Sequence, residues 1–194
     1  MNQAIYKFIP FAFSFLLFLI SCTKDNENIA VRQINTTYTQ FGGDTFDVDG
    51  NGVADLLVLL YYDSVGNYVE GDVMEMIGLN GATIASESKG FWIFSIPALI
   101  LYKTVMPFNQ RTVIDASYEY SDTLFIAFEG YAEGEYQIED AWKSNTSFFG
   151  FTLERNGNTH YGWGIMQAQN MKTLRVSQLA YENRPNTPIK AGEE

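Results

Sequence analysis

One cysteine, one histidine, five prolines and only 12 basic side chains against 23 acidic ones limit what this 194-residue chain can do. A lone cysteine, Cys22, cannot close an internal disulfide, so a fold outside the cell must rest on its core or on metal. A lone histidine, His160, excludes a multi-histidine zinc centre, and any Ser-His-Asp arrangement would have to use it. Its place after a turn, in an alternating strand, reads as solvent-facing or hydrogen-bonded. The formal charge of −11 leaves no basic stripe to neutralise phosphates, which disfavours nucleic acid as a partner. Neither a Gly-x-Ser-x-Gly elbow nor a phosphate loop is present. Long apolar runs are scarce too, and none reaches the roughly 20 residues that a membrane-spanning helix needs. What the chain does have is 46% hydrophobic residues, with 15 Phe and 12 Tyr, a balance that favours a packed, strand-rich domain.

The first apolar run, Phe8 to Ile20, is 13 residues long and follows a short polar segment carrying Lys7. That is the two-part form of a secretory signal. Leu19-Ile20-Ser21-Cys22 resembles the lipobox of bacterial lipoproteins, in which a small residue precedes the cysteine that is acylated on sulfur before cleavage. The resemblance implies a signal peptide over 1–21, lipid on Cys22 and a tether over 22–30, leaving 31–194 as the exported domain. Removing 1–21 takes away Lys7, the only charge there, and leaves the remainder one unit more negative. Lipid adds about 0.8 kcal/mol per buried methylene, so two or three chains anchor stably without spanning. Lys24-Asp25-Asn26-Glu27 resembles the surface-export signal of Bacteroidota lipoproteins, which implies outer-membrane attachment facing the cell surface; a solvated spacer has the same composition.

From Val31 onward the chain reads as strands. Gly42-Gly43, Asp49-Gly50, Asn51-Gly52, Gly66-Asn67, Asn80-Gly81 and Asn156-Gly157 supply the positive φ that tight turns require. Val53 to Tyr62 is almost continuously apolar, the pattern of a strand covered on both faces, whereas Tyr118 to Phe128 and Phe148 to Leu153 alternate more. Phe91 to Tyr102 reads as a buried strand broken at Pro97. Glu133 to Asp140 is strand-like, with acidic residues facing out. A three-stranded meander is expected over Ser147–Glu154, Thr159–Gln167 and Lys172–Tyr181, with Tyr161, Trp163 and Ile165 on one face. Gly162 and Gly164 leave its other face bare for a neighbouring layer. A last short strand and a frayed tail follow Pro185. The fold class is all-β: a single antiparallel β-sandwich, jelly-roll-like.

The most specific internal motif is Asp47-Val48-Asp49-Gly50-Asn51-Gly52-Val53-Ala54-Asp55. Oxygen donors at positions 1, 3 and 5, a carbonyl at 7 and a carboxylate at 9 can wrap one calcium ion, with glycines at 4 and 6 permitting the turn. The ligands would be the side chains of Asp47, Asp49, Asn51 and Asp55 and the carbonyl of Val53. Val58 stands where an EF-hand carries its bidentate glutamate, and strand rather than helix follows. The loop therefore resembles the shorter calcium loops of dockerin, thrombospondin type 3 and integrin-like repeats. Outside the cell, dissociation constants of about 0.1–1 mM suffice. The alternative is an Asx-rich double turn that binds nothing.

Trp92, Trp142 and Trp163 could form a platform for stacking sugar rings, but aromatics in an all-β domain are usually core, and that reading is favoured. Ser64 and Thr123, in Asp63-Ser64-Val65 and Asp122-Thr123-Leu124, resemble the three-residue O-glycosylation sequon of Bacteroidota exported proteins.

Phe149-Gly150-Phe151, His160-Tyr161-Gly162-Trp163, Ala180-Tyr181-Glu182 and Pro185 to Glu193, with Pro188-Ile189-Lys190-Ala191-Gly192, occur in this order. The series resembles the end of a broad group of secreted bacterial β-proteins, often seen with a PEP-CTERM sorting tail. That resemblance implies fold and export and assigns no catalytic residue. The expected role is a non-catalytic envelope module, binding glycan or another envelope protein and stabilised by calcium. The alternative is a carbohydrate-active enzyme using paired carboxylates.

Overall fold

Alternating side chains punctuated by Asn-Gly pairs build strands here and almost nothing else. The computed structural model describes residues 28–39, 41–65, 69–93, 98–132, 135–137, 142, 146–169 and 173–194. The expected signal peptide, Cys22, the Gly66-Asn67 turn, Pro97 and parts of the Glu133–Asp140 segment lie outside them. The strands are β1 (Ile29–Thr39), β2 (Gly42–Phe46), β3 (Leu56–Val65), β4 (Val69–Gly78), β5 (Thr83–Ile93), β6 (Ala98–Val105), β7 (Pro107–Phe108) and β8 (Val113–Ile114). They continue with β9 (Glu119–Ser121), β10 (Thr123–Ala132), β11 (Glu135–Gln137), β12 (Thr146–Arg155), β13 (Asn158–Gln169), β14 (Thr173–Glu182) and β15 (Ile189–Lys190). The protein is all-β, as its residue pattern predicts. β1 starts at Ile29, two residues before the expected domain boundary.

Ten strands follow one hydrogen-bonded path, β1-β14-β13-β12-β5-β6-β10-β4-β3-β2; β7, β9 and β11 pair at its sides, and β8 pairs with β15. β6 and β10 meet in parallel at a single residue pair, Thr104 with Phe125, whereas the other neighbours on the path are antiparallel. That seam separates six strands from four, and the sheet curls so that the two parts become facing walls of a near-barrel. The layers expected of a sandwich are thus the two halves of one sheet. The first strand pairs with the last long one, β1 with β14, and β2-β3-β4 and β12-β13-β14 are simple meanders rather than the Greek-key crossings of a jelly roll.

The main core fills the space between the walls. Phe46, Leu56, Val58, Leu60, Met74, Met76, Leu124 and Ile126 come from the four-stranded wall, and Phe149, Phe151, Leu153, Met166, Leu174 and Val176 from the other. A second core covers the opposite face of β12–β14, where Trp163, Tyr161 and Ala180 pack against Phe108, Ile114, Ile189 and Ala191. The C-terminal segment forms this cover instead of fraying. Ala191 exchanges backbone hydrogen bonds with Arg111 and Thr112, and the Trp163 indole donates to the Glu193 carbonyl at 3.2 Å.

The second core reverses one expectation about covered faces. β3 buries Leu56, Val58 and Leu60 but leaves Leu57, Leu59 and Tyr61 half-exposed, so only one of its faces is covered. β12 is buried continuously from Phe149 to Leu153 because β7, β8 and the C-terminal segment lie over its outer side. The Phe91–Tyr102 run is also not one strand but a hairpin in which Phe91 faces Ile100 and Trp92 faces Leu99; Leu101 is 72% exposed.

The expected meander is present, joined at Asn156 (φ 51°) and Gly157 (φ 74°), a two-residue turn whose paired positive φ suits a right-twisted hairpin. Tyr161 and Trp163 share the second-core face, with Ile165 packed against it. Gly162 and Gly164 meet the rings of Phe151 and Phe149 on the adjacent strand, not a neighbouring layer. A Cβ at Gly162 would lie 2.3 Å from the Phe151 ring and 2.7 Å from the Ala180 carbonyl oxygen. Gly162→Ala is therefore expected to destabilise by about 1–3 kcal/mol through overpacking, measured by denaturant unfolding.

Candidate metal centre

β2 and β3 form a hairpin whose nine-residue connection is the Asp47–Asp55 loop, closed at its neck by Asp55 N–H donating to the Phe46 carbonyl at 2.8 Å. The loop also docks on the Asn80-Gly81 turn: Leu79 N–H donates to the Asp55 carbonyl at 2.7 Å, and the Asn80 amide to the Ala54 carbonyl at 2.7 Å.

Inside the loop, short polar side chains accept from the backbone that they wrap. Asp47 Oδ1 accepts from Gly50 N–H at 2.7 Å and Asn51 N–H at 3.1 Å, and Oδ2 from Gly52 N–H at 2.8 Å. Asp49 Oδ1 accepts from Asn51 N–H at 3.0 Å, and Asn51 Oδ1 from Val53 N–H at 2.7 Å. Asp55, 7% exposed, accepts from Val48 N–H at 2.7 Å. Carboxylate oxygens of Asp47, Asp49 and Asp55 lie within 4.8 Å of one another. Asn51 stays in the loop, its amide donating to Asp49 Oδ2 at 2.9 Å, while Val53, expected to offer only its carbonyl, turns its side chain outward.

Three carboxylates so close repel one another. Burial pushes the Asp55 carboxyl above its ordinary range against the Val48 hydrogen bond, and the charges of Asp49 and Asp47 add to the rise. For Asp47 desolvation is the largest single effect and acts upward, but the hydrogen bonds from the amides of Gly52, Gly50 and Asn51 together outweigh it and hold the carboxyl below the usual value. Two guanidinium groups reach the loop from other strands. Arg155, at the end of β12, donates from Nε to Asp49 Oδ2 at 2.5 Å, lies 4.7 Å over the Tyr181 ring and donates to its hydroxyl at 3.1 Å. Arg32 of β1 donates to the Asp47 carbonyl. An all-oxygen set with three formal negative charges, one of them offset by a guanidinium, suits a hard divalent cation.

The other expected positions do not converge on a site. Trp142 and Trp163 are fully buried, one in each core, as the favoured reading has them, so neither can stack a sugar on an open face. The Trp92 and Ser64 side chains lie outside the described residues, and Thr123 is exposed at the start of β10. His160 is buried and hydrogen-bonded, its Nδ1 2.9 Å from the Glu182 carbonyl oxygen. Sequence reasoning missed Arg155 and Arg32, whose partners lie far away along the chain, and it missed the Glu182–Arg184 pair. No family model, curated protein or solved structure matches this chain.

Glu182 is almost wholly buried and accepts a fork from Arg184, Nε to Oε1 at 3.0 Å and the terminal nitrogen to Oε2 at 2.8 Å. Burial acts to raise its pKa, but the Arg184 hydrogen bonds and charge outweigh that and lower it. A carboxylate depressed in the folded state stabilises fully above its unfolded pKa, about 4.3, and that contribution is lost as pH falls through the folded value. Glu182→Gln is expected to lower Tm at pH 7 and to flatten the decline of Tm between about pH 5 and pH 3. Scanning calorimetry across that range checks it.

Proposed function

We propose that this chain is an exported lipoprotein, anchored in the outer membrane through Cys22, whose β domain is a non-catalytic binding or structural module stiffened by calcium in the Asp47–Asp55 loop. The observation that carries the calcium reading is the convergence of three carboxylates within 4.8 Å with Asp55 buried among them. An ionised carboxylate held there gains from a cation, and backbone amides already orient Asp47. The buried acids among the described residues, Asp55 and Glu182, are engaged by Val48 N–H and by Arg184, an arrangement that favours a structural role over general acid–base work. The anchor rests on Leu19-Ile20-Ser21-Cys22 at the end of the apolar run, and the likeness to secreted bacterial β-proteins supports export. The partner is another component of the envelope, met by a tethered domain.

At 10 mM calcium, a site with Kd of about 0.1–1 mM stabilises the fold by roughly 1.4–2.7 kcal/mol and raises Tm by about 3–10 °C. Asp55→Asn is expected to abolish most of that gain, read by thermal unfolding with calcium against EDTA. An unchanged Tm for the unmodified protein at 10 mM calcium overturns the calcium reading. For the anchor, Cys22→Ala is expected to end fatty-acid labelling of the protein in growing cells and to move it out of the membrane fraction; labelling that persists sinks the assignment.

A further inference from the structure

The walls of the near-barrel are joined at the β6–β10 seam by one parallel pair, beside which the hydroxyl of Thr104 is buried without a hydrogen-bond partner. At the opposite margin β1 and β2 end the sheet path and share no ladder among the described residues. What crosses that margin is side chains. Tyr38 of β1 sets its ring edge-on to Phe46 of β2 at 6.3 Å and its hydroxyl 3.4 Å from Asp44. Arg32 of β1 donates to the Asp47 carbonyl, and Arg155 of β12 to Asp49. Arg155 is itself held on its own wall by Tyr181 of β14 through both ring and hydroxyl. A guanidinium fixed on one wall therefore grips the loop that belongs to the other.

We infer that the Arg155–Asp49 ion pair is a latch that closes the β1/β2 margin, and that a divalent cation in the Asp47–Asp55 loop closes the same margin, so that cation occupancy and wall closure are linked. The second half rests on the calcium reading above; the first does not. The physical reason for both is one electrostatic demand. The loop must shed repulsion among Asp47, Asp49 and Asp55 to hold the shape that meets β1 and β12, and positive charge from either source supplies this. The two sources draw on the same Asp49 carboxylate and so replace one another: Arg155 standing on Asp49 disfavours the cation, and removing the guanidinium leaves the cation as the charge that shuts the margin.

Hydrogen exchange of the whole protein, read by mass spectrometry, separates the parts. In EDTA, Arg155→Gln is expected to speed exchange of peptides covering β1 and β2 at least tenfold while those from β12–β14 keep their protection. Asp49→Asn should give the same pattern, and the double variant no further acceleration. Unchanged exchange at β1 and β2 overturns the latch. So does acceleration spread evenly over the chain, which would make Arg155 a general stabiliser. Millimolar calcium chloride added to Arg155→Gln is expected to restore most of the lost protection at the margin; no restoration overturns the linkage. Failure of the calcium reading itself shows separately, as a Tm of the unmodified protein that calcium does not move.

Discussion

A sheet that curls toward a barrel must satisfy its backbone either by closing its ladder or by leaving edges, and here the ladder is thinnest in two places. Between β6 and β10 it narrows to one pair, and between β1 and β2 it is absent among the described residues. The apolar interior is continuous across both, with Met74 and Leu124 on one wall and Phe149 and Met166 on the other belonging to one core. Burial of that core holds the walls face to face, and the margins need only exclude water. Tyr38, Arg32 and Arg155 do this at one margin with side chains instead of backbone.

The acidic loop occupies the place where such a closure is most exposed to charge. Backbone amides absorb Asp47, and Val48 N–H serves Asp55, while Asp49 reaches across to a residue 106 positions away. Under the proposed calcium reading, the same loop has two roles with opposite electrostatic needs. Three carboxylates gathered this closely are costly without a counter-charge, and Arg155 lowers that cost by standing beside Asp49 with its guanidinium stacked on Tyr181. A charge supplied from another strand keeps the loop compatible with a folded wall whether or not it also takes a divalent ion.

Legibility followed the range of the interaction. The β12–β13–β14 meander was readable because Asn156-Gly157 specifies its turn and Tyr161, Trp163 and Ile165 alternate locally. The Asp47–Asp55 spacing was readable because its donors wrap their own neighbours within eight residues. Coverage of strand faces was not. Val53 to Tyr62 carries enough apolar residues for two buried faces and buries one, whereas β12 buries both because β7, β8 and the C-terminal segment come to lie over it. Trp142 and Trp163 show the same limit: an indole suits a sugar platform or a core, and only the strands around it choose.

The sequence by itself determined the elements: strands from alternation, turns from paired positive-φ residues, and an oxygen-rich loop from its spacing. All of these depend on neighbours within about ten positions, where chain geometry allows few alternatives. Tertiary structure alone decided which strand faces are buried, that the walls meet through a single parallel pair, and that Arg155 and Arg32 stand over the acidic loop. Those outcomes depend on contacts between distant segments. Nothing in the local pattern around Arg155-Asn156-Gly157 encodes its partner, because the curl of the whole sheet brings Asp49 to it.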